Sequence, residues 1–287
     1  MSSTKADERN ADQIAYWNGA GGRHWASRQE HQDIVLAPIL AAVLARAGVR
    51  PGERVVDIGC GCGASAIELG RLVAPAGRVL GLDVSGPMLA RAAERLSPDL
   101  PVELVQADAT TYAFAPDSFD LVFSRFGVMF FAEPARSFAN LRRALRPGGR
   151  LAFACWRAPR ENPWMMVPLQ AAYEHVPRLP QLGPEDPGPF SFADPARVER
   201  ILGEAGFSAI ALQPFDLALD IATGKGLDAG VNAALEIGAT SRAIDGQPAK
   251  VLAAVAQSIR KALAPHQQGG AVPLAGAVWL VTATSAG

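Results

Sequence analysis

The sequence predicts an α/β fold built on a doubly wound parallel sheet. Short runs that are apolar on both faces recur along the chain, stretches with helical spacing separate them, and a glycine-rich turn joins the first run to the helix that follows. Strands covered by helices on both sides read as continuous apolar runs, and alternation of strand and helix is the mark of a parallel sheet.

Leu36, Leu40, Val43, Leu44 and Ala47 fall at helical spacing, and Gly48 followed by Pro51-Gly52 ends that first helix. The first strand begins at Val55, and further strands are expected at Arg78 to Val84, Val102 to Asp108, Phe119 to Ser124 and Arg150 to Trp156. Helices are expected at Ala64 to Val73, at Pro87 to Leu96 with Ser85 as cap, and at Ser137 to Arg146, where Pro147-Gly148-Gly149 stops the chain. After Trp156 the rhythm breaks. Prolines from Pro159 to Pro195 crowd the stretch, which reads as a long surface loop or lid. Asp194 and Pro195 then open a helix that closes at Gly206, and Phe207 to Leu219 resumes as a strand. Residues 226 to 263 hold two helical patterns, and Val278 to Thr284 is a last strand.

Composition excludes several classes. With 287 residues and 49% hydrophobic residues the chain can fill a real core. A formal net charge of -1 gives no broad positive field for nucleic acid or an anionic membrane surface. The start of the chain is polar, without the apolar core of a secretory signal, and the longest apolar run, Ile34 to Ala45, is interrupted by Pro38 and too short to cross a bilayer. Three cysteines fit reduced thiols in a reducing compartment. A cytoplasmic protein is therefore expected, and the preponderance of arginine over four lysines suggests a bacterial source.

The chemistry centres on "VVDIGCGCG". A strand that ends in glycines and opens a helix places unpaired backbone N–H groups beside space cleared of side chains, as nucleotide-like ligands require. Gly59-x-Gly61-x-x-Ala64 also satisfies the dinucleotide fingerprint, with Asp83 twenty residues beyond Gly63. The acids discriminate where the glycines cannot. Asp57 before the first glycine would repel a pyrophosphate and attract an ammonium. Asp83 ends the second strand, where a carboxylate can hold a ribose diol. Asp108 ends the third and can accept from a purine amine. Taken singly, each of these acids is also an ordinary loop residue or helix cap.

Together with "GLDVS", "QADAT", "FDLVFSRFGVMFF" and "LRPGGRLAF", these motifs stand in the order and spacing of class I S-adenosylmethionine-dependent methyltransferases, which the chain resembles over roughly residues 34 to 156. The resemblance implies a Rossmann-like seven-stranded sheet whose last strand, Val278 to Thr284, runs antiparallel between the fifth and sixth. It also implies S-adenosylmethionine as cofactor. On the family's pattern Gly59, Cys60, Gly61 and Gly63 line the methionine part and Asp57 reaches its ammonium. Asp83 holds the ribose, Val84 and Met88 flank the adenine, Asp108 and Ala109 bind the adenine edge, and Ser124 and Arg125 border the methionine end. The stretch "YWNGAGGRHWASRQE" resembles the N-terminal segment of the ubiquinone-biosynthesis-like members, which folds over the cofactor. There Trp25 either covers the sulfonium or anchors a helix to the core. The expected organisation is an N-terminal helical cover (1–33), a cofactor-binding core (34–156), a substrate loop or lid (157–195), and completion of the sheet with a helical insertion at 226–263 (196–287).

The acceptor is less legible. The fourth strand ends in "SRFG", which lacks the Asn/Asp-Pro-Pro-aromatic tetrad of exocyclic-amine methylases and the aspartate that catechol-type enzymes use for magnesium. A small organic acceptor handled without metal is expected, in a monomer or homodimer. Cys60 and Cys62 read as small side chains packed under the loop; a thiol site with Cys155, as in arsenic methyltransferases, is the other reading. Candidate bases are His24, His31, His175 and His266. An NAD-dependent dehydrogenase and a non-catalytic S-adenosylmethionine-binding protein are the alternative functions.

Overall fold

The computed structural model describes residues 2–183, 185–236 and 238–285, with side chains from residue 10 onward. The expected segments 1–33, 157–195 and 196–287 therefore include Met1, Pro184, Ile237, Ala286 and Gly287, which lie outside the described residues.

Three helices precede the sheet: α1 (Ser2–Asn18), α2 (Ala20–Ser27) and α3 (Gln29–Ala47). Helix α3 buries Val35, Leu36, Ile39, Leu40 and Val43 and ends at Gly48, whose φ of 57° is left-handed. It runs through the expected boundary at 33/34 without a break. The sheet is built from β1 (Arg54–Ile58), β2 (Arg78–Asp83), β3 (Val102–Gln106), β4 (Phe119–Arg125), β5 (Leu145–Trp156), β6 (Phe207–Asp220) and β7 (Pro273–Ser285). Their order is β3-β2-β1-β4-β5-β7-β6. The first five pair in parallel, and β7 runs antiparallel between β5 and β6, where the sequence placed it.

Helices α4 (Ala64–Val73), α5 (Gly86–Arg95) and α6 (Pro134–Ala144) connect the parallel strands. Ser85 caps α5 by accepting the Met88 N–H at 3.4 Å. Helix α6 starts and ends earlier than its apolar pattern suggested. Pro134 fits its first turn, and the chain enters β5 at Leu145. Pro147-Gly148-Gly149 then bulges out of β5, so that Phe119 faces Leu145 while Leu121 faces Arg150.

The stretch 157–195 differs from the expected surface loop. Its first part forms α7 (Pro163–Ala172), which buries Trp164, Leu169, Ala171 and Ala172. Pro163 sits in the opening turn, where a helix needs no N–H from it. Val176 and Phe192, farther along, are also buried. Helix α8 (Pro195–Glu204) precedes β6, while α9 (Leu227–Glu236), α10 (Gly238–Ala243) and α11 (Ala249–Leu263) stand between β6 and β7. Strand order reverses at β1, with β2 on one side and β4 on the other. In a doubly wound sheet the crevice at that switch point, beyond the strands' carboxyl ends, is where ligands bind.

Candidate active site

Backbone geometry builds the floor of the crevice. Gly59, Gly61 and Gly63 adopt φ of 67°, 54° and 85°, a region that costs any residue with a Cβ. The loop does not present the bare N–H groups that its glycines suggested. Gly59 and Cys60 donate to the Leu82 carbonyl at 2.8 and 3.3 Å, and Gly63 donates to the Cys60 carbonyl at 2.9 Å. Gly61 donates to Asp83 Oδ2 at 2.8 Å. With its glycine donors spent, the loop offers Cα surface and carbonyl oxygens, which suit a cationic ligand group. Among the described residues the Cys62 N–H has no acceptor, and the first turn of α4 adds its own unpaired N–H groups.

A cavity of 1190 Å³ opens over this floor. Pockets for one small ligand run to about 1,000 Å³ at most, so this one has room for two. Its lining crosses the sheet edge in strand order: Asp108 and Ala109 after β3; Asp83, Val84 and Met88 after β2; Gly59, Cys60 and Gly61 after β1; Arg125 and Phe126 at β4; Trp156 at β5. Trp25 lines it from α2.

Three expected site residues stand elsewhere. Asp57 is 0% exposed and lies behind the loop, not in the cavity. Ser65 Oγ donates to its Oδ2 at 2.6 Å, and Oδ1 has no partner. Burial drives its pKa up to about 7, with the Ser65 bond and Arg125 opposing the rise. Ser65, which does line the cavity, stands between this carboxyl and the cavity and was missed by sequence reading. Its only signal is a small hydroxyl eight residues after Asp57. Ser124 also does not reach the cavity: its hydroxyl donates to the Ile58 carbonyl at 2.8 Å and accepts the Gly127 N–H at 3.1 Å. It fastens the β4 end to the loop. Gly63 caps α4 from behind.

The two ribose and adenine candidates are already engaged. Asp83 accepts the Gly61 and Ser85 N–H groups, each at 2.8 Å, which hold its pKa down against the larger effect of burial. A carboxylate has about four lone-pair sites, so two remain for a diol. Asp108 accepts Asn10 Nδ2 and the Thr110 N–H, both at 2.8 Å.

Asn10 belongs to a clasp that composition gave no hint of. Asn18 Nδ2 donates to the Val84 carbonyl at 2.8 Å, while its Oδ1 accepts from the Gly86 N–H and Gln106 Nε2, both at 3.1 Å. Ser85 Oγ donates to the Trp17 carbonyl at 2.6 Å. The end of α1 is thereby pinned over β2 and β3. Trp17 packs edge-on against Trp25 and Phe130, with ring centres at 6.3 and 5.1 Å. Trp25 thus both lines the cavity and anchors the cover.

Beyond β4 the lining turns apolar and aromatic. Phe126 holds a left-handed φ of 71° and stacks on Trp156 at 4.3 Å, and Trp156 meets Trp164 at 5.0 Å. Met129, Leu169, Phe190 and Ile221 extend this wall, and Ala233, Ala234 and Glu236 of α9 with residues 238–242 of α10 close it. Helix α11 lies outside the lining. Arg125 turns its exposed surface to the cavity, and its Nη1 has no partner. Burial lowers its pKa, with Asp33 and Asp57 opposing.

His24 and His31 line the cavity; His175 and His266 do not. His175 Nε2 lies 2.8 Å from Ser258 Oγ. The thiols are buried, and burial pushes Cys62 up to about 12 and Cys60 and Cys155 upward as well. That leaves no reactive thiolate. Among the described residues no group of three or more metal-ligating side chains occurs, and no helix is long and apolar enough to cross a membrane.

Residues 56–153 match the family model described as a methyltransferase domain. A demethylmenaquinone methyltransferase of Clavibacter sepedonicus is 39% identical over 108 residues, which are 38% of this chain and 43% of that protein. The chain thus spans less than half the length of that relative. A ubiquinone/menaquinone biosynthesis C-methyltransferase of Marinomonas sp. is 26% identical over 59% of this chain and 72% of that protein. Among solved structures, Haemonchus contortus phosphoethanolamine N-methyltransferase 2, in complex with phosphomonomethylethanolamine and S-adenosylhomocysteine, superposes with a TM-score of 0.56 at 20% identity. It covers 97% of this chain and 59% of its own. At that identity the likeness speaks for the fold.

Proposed function

We propose, from the premise that the chain belongs to the class I S-adenosylmethionine-dependent methyltransferases, that it moves the methyl group of that cofactor onto an apolar, ring-bearing small molecule. One observation carries the reading. A single cavity joins a loop whose glycine N–H donors are engaged within the protein and two strand-end carboxylates to an aromatic chamber beyond β4. The first part suits a ligand with ammonium, diol and adenine; the second suits an apolar acceptor.

The residues fit the cofactor. Gly61 holds a left-handed φ of 54°, which favours glycine, and a Cβ there would press on the Met88 methyl of the adenine flank. Asp83 would take the ribose hydroxyls, Asp108 and Ala109 the adenine edge, and Gly59, Gly61 and Ser65 the amino-acid end, with Asp57 supplying charge from behind. Arg125 and Trp25 would border the sulfonium end. When bound, S-adenosylmethionine supplies a methyl group already activated by the positive sulfur. The protein's task is then to align a nucleophile with it, and positioning of this kind is worth about 7 to 11 kcal/mol of a barrier. The cover helices exclude water from the line of transfer.

Relatives acting in quinone biosynthesis make a quinol the first acceptor to try. The reaction is proposed to run without metal, in the cytoplasm, on a free small molecule and not on nucleic acid, with the protein a monomer or homodimer. The test follows S-adenosylhomocysteine release with 1,4-naphthohydroquinone and alkyl-substituted hydroquinones, against charged amines such as phosphoethanolamine. Turnover of a quinol supports the reading. Turnover confined to the amines contradicts it.

A further inference from the structure

The acceptor side of the cavity holds a group that methyl transfer as described leaves unused. His31 stands in the first turn of α3, half-buried, on the cavity wall. Among the described residues no hydrogen bond engages its ring. Its surroundings keep it uncharged: burial pushes the imidazole below its usual range, and Arg28 at the α2–α3 joint and Lys225 after β6 push it the same way. Asp220 opposes them, but its carboxylate is committed to the Ala222, Gly224 and Val272 N–H groups at 3.0, 2.7 and 2.8 Å. Glu236, at the end of α9, is ion-paired with Arg28.

The other candidates are less suited. Asp33 is paired with Arg95 at 2.6 Å, Asp108 is held by Asn10, and His24 is exposed at the rim. A half-buried neutral imidazole on a wall whose charged neighbours Arg28, Asp33 and Glu236 are already paired is placed to accept a proton near neutral pH.

We propose that His31 is the general base of the transfer, accepting the proton of a hydroxyl on an aromatic acceptor; this rests on the acceptor reading above. The imidazole lone pair takes the hydroxyl proton. The phenolate so formed gives an electron pair to the methyl carbon, from oxygen or from a ring carbon that afterwards sheds its own hydrogen as a proton. The methyl–sulfur bond breaks with its pair going to sulfur, which leaves as a neutral thioether. Arg28 and Lys225 favour the phenolate and disfavour the imidazolium, which returns its proton to solvent.

The probe is 4-nitrophenol, which titrates near neutrality and reports its ionisation by absorbance, in the presence of saturating S-adenosylhomocysteine. The wild type should lose affinity for it at acid pH, as His31 takes a proton and no longer accepts one from the phenol, and should keep affinity at alkaline pH, where Arg28 and Lys225 favour the phenolate. His31→Gln should bind S-adenosylhomocysteine as before, bind the probe about 3- to 10-fold more weakly at neutral pH, and lack the acid limb. Its quinol turnover should fall about 10²- to 10⁴-fold and recover toward alkaline pH, where the hydroxyl ionises unaided. Probe binding with the same acid limb in His31→Gln, or undiminished turnover, would overturn the role of His31 and leave the acceptor reading standing. No probe binding and no quinol turnover by the wild type would sink the acceptor reading, and this inference with it.

Discussion

Gly59 and Gly127 meet backbone to backbone beneath the cavity. A Cβ on Gly59 would stand 2.6 Å from the Gly127 Cα, and one on Gly127 would stand 2.5 Å from the Ile58 carbonyl oxygen. Ser124 tightens the same junction by bonding to both segments. The cofactor loop after β1 and the turn leading to the aromatic chamber after β4 are therefore one unit, and the distance between them has no slack.

Gly127→Ala is accordingly expected to force the two segments apart. Overpacking costs typically about 1 to 3 kcal/mol, so thermal unfolding should show a lower Tm. S-adenosylhomocysteine affinity should fall with it, because the glycine loop moves. A variant with wild-type Tm and affinity would show that the junction yields freely.

Asp57 makes stability and binding depend on pH in opposite senses. Its folded pKa of about 7 lies above the ordinary carboxyl value of 3.8, so the folded state holds the proton more tightly than the unfolded state between those pH values. Stability from this group therefore falls as pH rises through that window, and the full penalty is present above pH 7. Asp57→Asn should leave Tm unchanged near pH 4 and raise it above pH 7, while weakening the binding of a ligand that carries an ammonium. An ammonium favours the ionised carboxylate, so cofactor binding to the wild type near pH 6 should release protons. Calorimetry in buffers of different ionisation enthalpy checks the release, and proton uptake would contradict the assignment.

Asn18 tests the clasp. Asn18→Ala removes its bonds to Val84, Gly86 and Gln106 at the end of α1. Each is worth about 0.5 to 1.5 kcal/mol net, so stopped-flow dissociation of S-adenosylhomocysteine should accelerate roughly tenfold, 1.4 kcal/mol being a factor of ten. An unchanged off-rate would mean that α1 does not gate the cofactor.

Asp83 does two jobs, which shapes its test. Asp83→Ala deprives the Gly61 and Ser85 N–H groups of their acceptor, and an unsatisfied buried donor costs about 1 to 3 kcal/mol. Lower Tm is therefore expected along with lost binding. Asp83→Asn keeps one of the two acceptors but turns its amide nitrogen against the other N–H, so its Tm should lie between those of Asp83→Ala and the wild type while affinity for adenosine and S-adenosylhomocysteine falls together. Retained affinity in Asp83→Asn would remove the ribose role.

The sheet was legible because its signal is local. Apolar runs, a cap at Ser85 and breakers at Gly48 and after Arg146 mark elements within a few residues, and the glycine motif marks the switch point. What escaped depends on partners distant in sequence. Asp57 and Ser124 carry the expected side chains at the expected places. Whether these face a ligand or the protein is decided by Ser65, Ile58 and Gly127. Asn10 and Asn18 read as ordinary surface residues until the strand ends 66 and more positions away are folded under them. Helix α7 was hidden by its prolines: Pro163, which a helix tolerates in its opening turn, and Pro168, which the helix carries inside it. The acceptor chamber draws on 126, 156, 164, 233, 234, 236 and 238–242, positions that no single window could join.

The central claim is that this crevice holds S-adenosylmethionine, and titration calorimetry of the wild type with S-adenosylhomocysteine, adenosine and NAD tests it most directly. The account predicts tight binding of S-adenosylhomocysteine, weaker binding of adenosine, which lacks the ammonium that Asp57 draws in, and none of NAD, whose pyrophosphate would be repelled by Asp57 and would find the glycine N–H groups already engaged. Tight binding of NAD with none of S-adenosylhomocysteine would contradict it.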